Sequence, residues 1–93
     1  MTLDEIYNEI IRICRKHHAV KVILHGSRAK GTCRSTSDID IAVLGVNDVA
    51  SLQEEIDDLP TLYTVDILSL DECRNHLLLE DIQEYGREIY TAL

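Results

Sequence analysis

Two aspartates separated by a single residue stand at the start of an alternating apolar run. Asp38 and Asp40 alternate with Ile39 and Ile41, and a strand has a side-chain period of two, so both carboxylates leave the same face. Two neighbouring anions repel each other unless a cation lies between them. Oxygen ligands favour Mg²⁺ or Mn²⁺ over zinc. The pair therefore predicts a divalent-cation site on one face of a sheet.

A third aspartate lies inside a later apolar segment. Asp66 has aliphatic neighbours on both sides within Tyr63–Leu68, a run typical of a strand. On a strand beside that of Asp38 and Asp40, its side chain could point to the same face. Three carboxylates can hold two metal ions roughly 3.5 to 4 Å apart, which stabilises the attacking and leaving oxygens of an in-line phosphoryl displacement.

A glycine-serine turn precedes the aspartates. Gly26 and Ser27 follow a short aliphatic run, and small residues come after them, so the backbone can approach a ligand closely. Amides at the start of a short helix from Ser27 would face a phosphate, with Arg28 and Lys30 as nearby cations. Alone, such a turn is more often only a helix cap. Ten residues separate Ser27 from Asp38, and this combination favours phosphate binding.

Composition limits the classes of protein. The 93 residues are 45% hydrophobic and 28% charged, with four glycines and one proline, which predicts one small folded domain over residues 1–93. Phe and Trp are absent and the net charge is −8, so nucleic-acid binding is disfavoured. Three cysteines without metal-like spacing, no signal peptide and no membrane-length apolar run predict a cytoplasmic protein without a membrane anchor.

The charge is divided unevenly along the chain. Residues 1–37 carry seven basic and three acidic side chains, whereas residues 38–93 carry two basic and fourteen acidic ones. Most of these charges are expected to be solvated surface. A site at the junction could offer cations to an anion on one side and carboxylates to a metal on the other.

Apolar periodicity and capping signals predict the elements that position these residues. In chain order they are a helix from Thr2 to about His17, strands at Val20–His25 and Asp38–Val43, a helix from Val49 to Pro60, a strand at Tyr63–Leu68, a helix that begins at a second capping box of Ser69 and Glu72 and ends at Gly86, and a strand at Glu88–Tyr90. The order α-β-β-α-β-α-β indicates a mixed sheet with helices against it, in the α/β or α+β class.

The combination of Gly26-Ser27, Asp38-x-Asp40 and Asp66 resembles the signature of the polymerase β-type nucleotidyltransferases. More narrowly, it is similar to the minimal nucleotidyltransferases, or MNT proteins, of bacteria and archaea. The resemblance implies a nucleotidyltransferase palm in which Asp38 and Asp40 bind both metals. It also implies that Asp66 ligates the metal that activates an acceptor hydroxyl, and that Gly26 and Ser27 hold a triphosphate.

The same resemblance implies a reaction and a partner. Asp38, Asp40 and Asp66, with Mg²⁺ or Mn²⁺, would move a nucleoside monophosphate, most favourably AMP from ATP, to an acceptor hydroxyl and release pyrophosphate. Arg28 and Lys30 would assist at the triphosphate, although family members often carry an arginine where Lys30 stands. The chain is short, so the acceptor is expected on a separate small helical HEPN-type protein, with this chain as antitoxin. A homo-oligomer is also open.

Two other functions stay open. A non-catalytic antitoxin would neutralise its partner by contact alone, and loss of one carboxylate would favour it, whereas all three are here. A metal-binding scaffold would bind Mg²⁺ without nucleotide. His25, beside Gly26, either contacts substrate or has a structural role.

Overall fold

The computed structural model describes residues 1–92, in which helices and strands alternate. They are α1 (Leu3–Lys16), β1 (Lys21–His25), α2 (Ser27–Lys30), β2 (Ile39–Leu44), α3 (Val49–Asp57), β3 (Val65–Ser69), α4 (His76–Tyr85) and β4 (Arg87–Thr91). Each predicted element is present, although the last helix begins later than predicted, and the one-turn helix α2 lies at the glycine-serine turn. Among the described residues, no helix has both the length and the apolar character needed to cross a membrane.

The four strands form one mixed sheet in the order β3-β2-β1-β4. β1 runs antiparallel to both β2 and β4, whereas β2 and β3 run parallel and are joined through α3. A parallel pair needs a crossover of this kind, and the helix supplies it. The predicted class, a mixed sheet with helices packed against it, is confirmed.

One face of the sheet forms the hydrophobic core beneath α1 and α3. On β2, Ile39, Ile41 and Val43 are all fully buried there, and Ile10 of α1 belongs to the same cluster. Burying a side chain of this size contributes about 1.5–3 kcal/mol. Because strand residues alternate, the residues between these on β2 are directed to the opposite face.

The first helix begins and ends as the sequence predicts. The Thr2 hydroxyl accepts the Glu5 amide at 3.2 Å, and the Glu5 carboxylate accepts the Thr2 amide at 3.3 Å, which completes the capping box. At the other end, Glu55 of α3 pairs with Lys16 at 2.6 Å and with His17 at 3.0 Å. The exposed end of α1 is thereby tied to α3 on the core side of the sheet.

The second capping box does not start a helix, so the predicted start of the last helix is wrong. Ser69 remains the final residue of β3, and its hydroxyl accepts the Glu72 amide at 3.3 Å within a turn. The helix begins at His76, where the Asn75 side chain accepts the Leu78 amide at 3.2 Å. A serine three residues before a glutamate therefore stabilises a turn here, because pairing with β2 keeps Ser69 extended.

The last helix covers only part of the second face. Ile82 of α4 is buried, and the helix ends at Gly86, as predicted, with the Gly86 amide donating to the Ile82 carbonyl at 2.7 Å. Gly86 has φ −61°, so it is not left-handed. A Cβ there would lie 2.3 Å from the Ile82 carbonyl oxygen and 2.8 Å from the Ile23 side chain. The tight end of α4, where the chain passes the Ile82 carbonyl, therefore requires glycine at this position.

Candidate functional site

The predicted acidic residues meet at one end of the sheet, on the face opposite the core. Asp40 of β2 is the register partner of Asp66 on β3, so their side chains leave the same face side by side. Asp38 comes immediately before β2, two residues from Asp40. Asp38 and Asp66 are exposed, whereas Asp40 is partly buried. The structure thus places the three aspartates near one another with a side open to solvent.

The charged form of the Asp40 carboxyl is disfavoured by its surroundings. Burial raises its pKa, and the charges of Asp66 and Asp38 raise it further, while His25 acts in the opposite direction. Within residues 1–92, none of the ion pairs includes any of the three aspartates. The negative charge at this end of the sheet is therefore not balanced by a protein cation in direct contact.

The donor set suits a hard divalent cation, although the side chains do not form a closed cage. In the described part of the chain, no three His, Cys, Asp or Glu side chains stand close enough together to hold a metal ion as they are oriented. Mutual repulsion is a physical reason for the carboxylates to stand apart. Three carboxylates with uncompensated charge are the ligand type that Mg²⁺ and Mn²⁺ select. The residues fit such an ion in chemistry and in charge.

The glycine-serine turn packs directly against the central aspartate. β1 ends at His25, and Gly26 then takes a positive φ of 72° before α2 begins at Ser27. A Cβ on Gly26 would clash with Oδ2 of Asp40, so the Asp40 side chain would have to move. Both the backbone conformation and the close approach require glycine here. The first amides of α2 therefore lie at the same end of the sheet as the aspartates.

The sequence left open the role of a histidine that lies beside the aspartates. His25 is the register partner of Asp40 across β1 and β2, is 8% exposed, and its Nε2 has no hydrogen-bond partner among the described residues. Burial lowers the pKa of His25, while Asp40 and Asp81 act in the opposite direction. Only the strand register reveals this contact, and the sequence pattern does not fix that register.

Both predicted cations contact other groups of the protein, Arg28 as a buried side chain and Lys30 as an exposed one. The Arg28 guanidinium donates to the Ser37 carbonyl at 2.7 Å, and the Lys30 ammonium pairs with Asp81 of α4 at 2.8 Å while lying over the Tyr85 ring. The Lys30 contact ties α2 to α4. Contact of either cation with a triphosphate stays a prediction based on the family resemblance.

Sequence reasoning also missed a glutamine that covers the outer edge of β3. The Gln53 side chain of α3 donates to the Val65 carbonyl at 2.7 Å and accepts the Ile67 amide at 2.8 Å. These are the backbone groups on either side of Asp66, and an uncovered strand edge leaves such groups unpaired. The only signal in the sequence is a long amide side chain beside the apolar stripe of α3, which is too weak to predict the contact.

An open pocket lies beside the first aspartate. It has a volume of about 340 Å³ and is lined by Asp38, Ser35, Thr36, Leu62, Tyr63 and Thr64. Leu62 on its rim is fully exposed. The acidic end of the sheet is therefore reachable from outside the chain.

Comparison with known proteins places the fold. Residues 8–92 match the model of the family described as Polymerase beta, Nucleotidyltransferase, and no curated protein matches the chain. A crystal structure of a toxin-antitoxin with AMP-PNP is 26% identical, with a TM-score of 0.72, covering 92% of this chain and 73% of that chain.

Two further solved structures share the fold at lower identity. One contains a tri-AMPylated Shewanella oneidensis HEPN toxin in complex with an MNT antitoxin (22% identity, TM-score 0.72, 98% of this chain and 74% of that chain). The other is the toxin-antitoxin MntA-HepT (23% identity, TM-score 0.70, 96% and 73%). The family model spans nearly the whole chain and includes the glycine-serine turn and all three aspartates. The chain belongs to the polymerase β-type nucleotidyltransferase family.

Proposed function

We propose that this chain is a metal-dependent nucleotidyltransferase that moves AMP from ATP to an acceptor hydroxyl and releases pyrophosphate. The register pairing of Asp40 with Asp66 carries the proposal, because it brings an acid from a later strand beside the Asp38-x-Asp40 pair. The turn at Gly26 lies against Asp40. A phosphate-binding backbone segment and a cluster of carboxylates therefore share one end of the sheet.

The three aspartates would hold the metal ions. In this proposal Asp38 and Asp40 would be ligands for the metal ions, and Asp66 would be the ligand on the side of the acceptor hydroxyl. When bound, Mg²⁺ or Mn²⁺ would lower the pKa of the acceptor hydroxyl and neutralise charge on the triphosphate. The raised pKa of Asp40 and the absence of ion pairs for these acids within residues 1–92 support a cation between them.

The chain's own groups would bind and orient the reactants. Amides at the start of α2 and the Ser27 hydroxyl donate to the triphosphate, and Gly26 permits the close approach. The family resemblance assigns Arg28 and Lys30 to the triphosphate, whereas in the structure Arg28 donates to the Ser37 carbonyl and Lys30 pairs with Asp81. The acceptor oxygen forms a bond to the α-phosphorus, the bond from that phosphorus to the bridging oxygen breaks, and pyrophosphate leaves with the electron pair. Asp66 takes the hydroxyl proton.

The acceptor in this proposal belongs to a HEPN-type partner, with residues 1–93 acting as a single minimal domain and as antitoxin. Asp38 and Asp66 are exposed and the pocket beside Asp38 is open, so another chain can reach the site. The similar solved structures are toxin-antitoxin complexes, one with AMP-PNP and one with a tri-AMPylated HEPN toxin. That precedent is the reason to test a HEPN-type protein first.

A second candidate is an antitoxin that works by contact alone. The carboxylates as oriented do not form a metal cage among the described residues, which favours this candidate. It predicts stable binding to the partner without consumption of ATP.

The test uses ATP labelled at the α-phosphate, Mg²⁺ or Mn²⁺, and a HEPN-type protein from the same genome. We expect the label on the partner with the wild-type chain and none with Asp38→Asn. ATP labelled at the γ-phosphate is the matched control and should leave the partner unlabelled. Absence of α-label with the wild type, or full transfer by Asp38→Asn, would contradict the proposed function.

A further inference from the structure

One buried guanidinium joins the segments that lead to two of the aspartates. Arg28 is only 9% exposed, although it lies in the first turn of a surface helix. Its Nε donates to the Ser37 carbonyl at 3.2 Å, and its Nη2 donates to the same carbonyl at 2.7 Å and to the Ser35 carbonyl at 3.4 Å. Ser37 immediately precedes Asp38. The guanidinium is therefore hydrogen-bonded to the backbone of the loop that leads to the first aspartate.

The same side chain contacts the segment that leads into β3. The Arg28 guanidinium lies over the Tyr63 ring at 5.0 Å from its centroid. Next to Tyr63, the Thr64 carbonyl accepts the Ile39 amide at 2.9 Å, which extends the pairing of β2 with β3 toward the aspartates. The cation thus bridges the approach to Asp38 and the approach to Asp66.

The loop before Asp38 is closed by two bonds of its own. The Arg34 amide donates to the Ser37 hydroxyl at 2.8 Å, and the Ser37 amide donates to the Arg34 carbonyl at 3.0 Å. Most of the loop is exposed, so little apolar burial holds it in place. A buried cation needs partners that offset its lost hydration. Carbonyl oxygens and an aromatic face are the partners of Arg28 here. The hydrogen bonds from the guanidinium to these carbonyls also hold the loop in place.

We propose that Arg28 is a positioning residue for the metal site: it holds the Asp38 loop and the Asp66 strand together so that both carboxylates reach one pair of ions. This inference rests on the proposed function. It differs from direct contact with the triphosphate, because Nε and Nη2 of Arg28 both donate to backbone carbonyls of the loop. Its remaining nitrogen, Nη1, lies 3.9 Å from Cys33 Sγ.

A lysine at position 28 cannot make the same set of contacts. The planar fork of arginine donates to two carbonyls while its face stacks on Tyr63, whereas an ammonium is a compact charge without that geometry. Arg28→Lys therefore keeps the charge and removes the bridge. The matched control is Arg15→Lys on α1, because exposed Arg15 also lies over a tyrosine ring, that of Tyr90, at 5.6 Å and is not part of the proposed site.

The first measurement is Mn²⁺ binding without nucleotide, followed by electron paramagnetic resonance. Loss of a residue that orients metal ligands costs about 10- to 100-fold in metal affinity or activity, and we expect a weakening of that size for Arg28→Lys. Arg15→Lys should bind Mn²⁺ as the wild type does. If Arg28→Lys binds Mn²⁺ with wild-type affinity, Arg28 does not position the ligands and the inference is overturned.

Steady-state kinetics separate positioning from phosphate contact. Arg28→Lys should lower kcat by about tenfold or more, since misplaced groups slow the chemical step, and should leave the KM for ATP nearly unchanged. Direct contact with the triphosphate predicts the reverse pattern: a raised KM for ATP with unchanged Mn²⁺ affinity. That reverse pattern would also overturn the inference.

Amide hydrogen exchange tests, in the absence of any ligand, whether Arg28 holds the loop. The bonded amides of Arg34 and Ser37 should exchange faster in Arg28→Lys than in the wild type or in Arg15→Lys, and unchanged protection would contradict the bridge. Should the wild type bind neither Mn²⁺ nor ATP, the proposed function fails, while this readout still decides whether Arg28 fixes the loop.

A second pair of variants covers the case in which Arg28→Lys does not fold. Tyr63→Leu removes the aromatic face and should weaken Mn²⁺ binding and loop protection, and Tyr63→Phe, which keeps the ring, should restore both. Equal behaviour of Tyr63→Leu and the wild type would overturn the inference.

Discussion

The two faces of the sheet differ in how completely their side chains are satisfied. On β2, Ile39, Ile41 and Val43 are fully buried beneath α1 and α3. On the other face of the same strand segment, Asp38 and Asp40 meet Asp66, and the pKa of Asp40 is raised by burial and by its acidic neighbours. α4 covers this second face only in part. One alternation in sequence thus produces a stable face and an electrostatically strained one.

Fold stability and the proposed chemistry therefore depend on separate sets of residues. Substitutions on the core face should change the free energy of unfolding, and substitutions on the acidic face should change metal binding and transfer. Proteins often give up stability at functional sites in this way.

The largest expected effect comes from the acidic face. Asp40→Asn removes a charge that contributes to both proposed metal positions, and we expect transfer of AMP to fall by at least about a thousandfold, equivalent to about 4 kcal/mol. The measurement is label transfer from α-labelled ATP, with thermal unfolding recorded beside it. The melting temperature should not fall. A transfer rate within tenfold of the wild type would mean that the Asp40 charge is not needed for the reaction.

The next effect comes from the core face. Ile10→Ala removes a fully buried side chain and should lower the free energy of unfolding by about 3 kcal/mol through lost burial and a residual cavity. Denaturant unfolding measures it, with Asn8→Ala on the exposed side of α1 as the control. Mn²⁺ affinity of the folded variant should stay close to that of the wild type. A large loss of Mn²⁺ affinity would show that metal binding also depends on the residues of the core face.

A smaller effect concerns pH. Because the pKa of Asp40 is raised above its ordinary value of 3.8, the folded protein retains a proton that the unfolded chain releases. Stability therefore falls as pH rises through the folded pKa, and above it the wild type bears the full cost. In metal-free buffer, Asp40→Asn should be more stable than the wild type at neutral pH. The gain should vanish below about pH 4, where the Asp40 carboxyl is protonated in both the folded and the unfolded wild type.

Chemical unfolding at several pH values measures this difference. Added Mg²⁺ should stabilise the wild type and reverse the order of the two proteins. A gain for Asp40→Asn that does not change with pH would mean that charge repulsion is not its cause.

The smallest effect is expected at the contact between α2 and α4. Lys30→Gln breaks the pair with Asp81, which is partly exposed, and surface pairs of this kind contribute little. We expect a slight loss of thermal stability that disappears in high salt. Lys21→Gln, which breaks the longer 3.6 Å pair with Glu88, is the matched control. A loss comparable to that of Ile10→Ala would mean that the second face contributes to stability as the core face does.

Local patterns in the sequence predicted much of the fold. The capping box of Thr2 and Glu5 starts α1 as expected, because all its contacts lie within one turn. A similar pattern at Ser69 and Glu72 failed as a helix start, because pairing of β3 with β2 holds Ser69 in the sheet. Local chemistry is thus predictable where no long-range pairing competes with it.

The sequence predicted only in part which of the candidate residues lie together. The spacing of Asp38 and Asp40 implies a shared face, but the position of Asp66 depends on the parallel pairing of β2 with β3. The same holds for His25 beside Asp40 and for the Arg28 bridge. These contacts depend on strand register and on the path of an exposed loop, which no local pattern in the chain determines.

The central claim is that the three aspartates together hold a pair of divalent ions beside a bound nucleotide. The direct measurement is a count of bound Mn²⁺ by electron paramagnetic resonance, with a non-hydrolysable ATP analogue present, in the wild type and in Asp40→Asn. We expect two ions per wild-type chain and at least one fewer in the variant. No bound ion in the wild type, or the same number in both proteins, would contradict it.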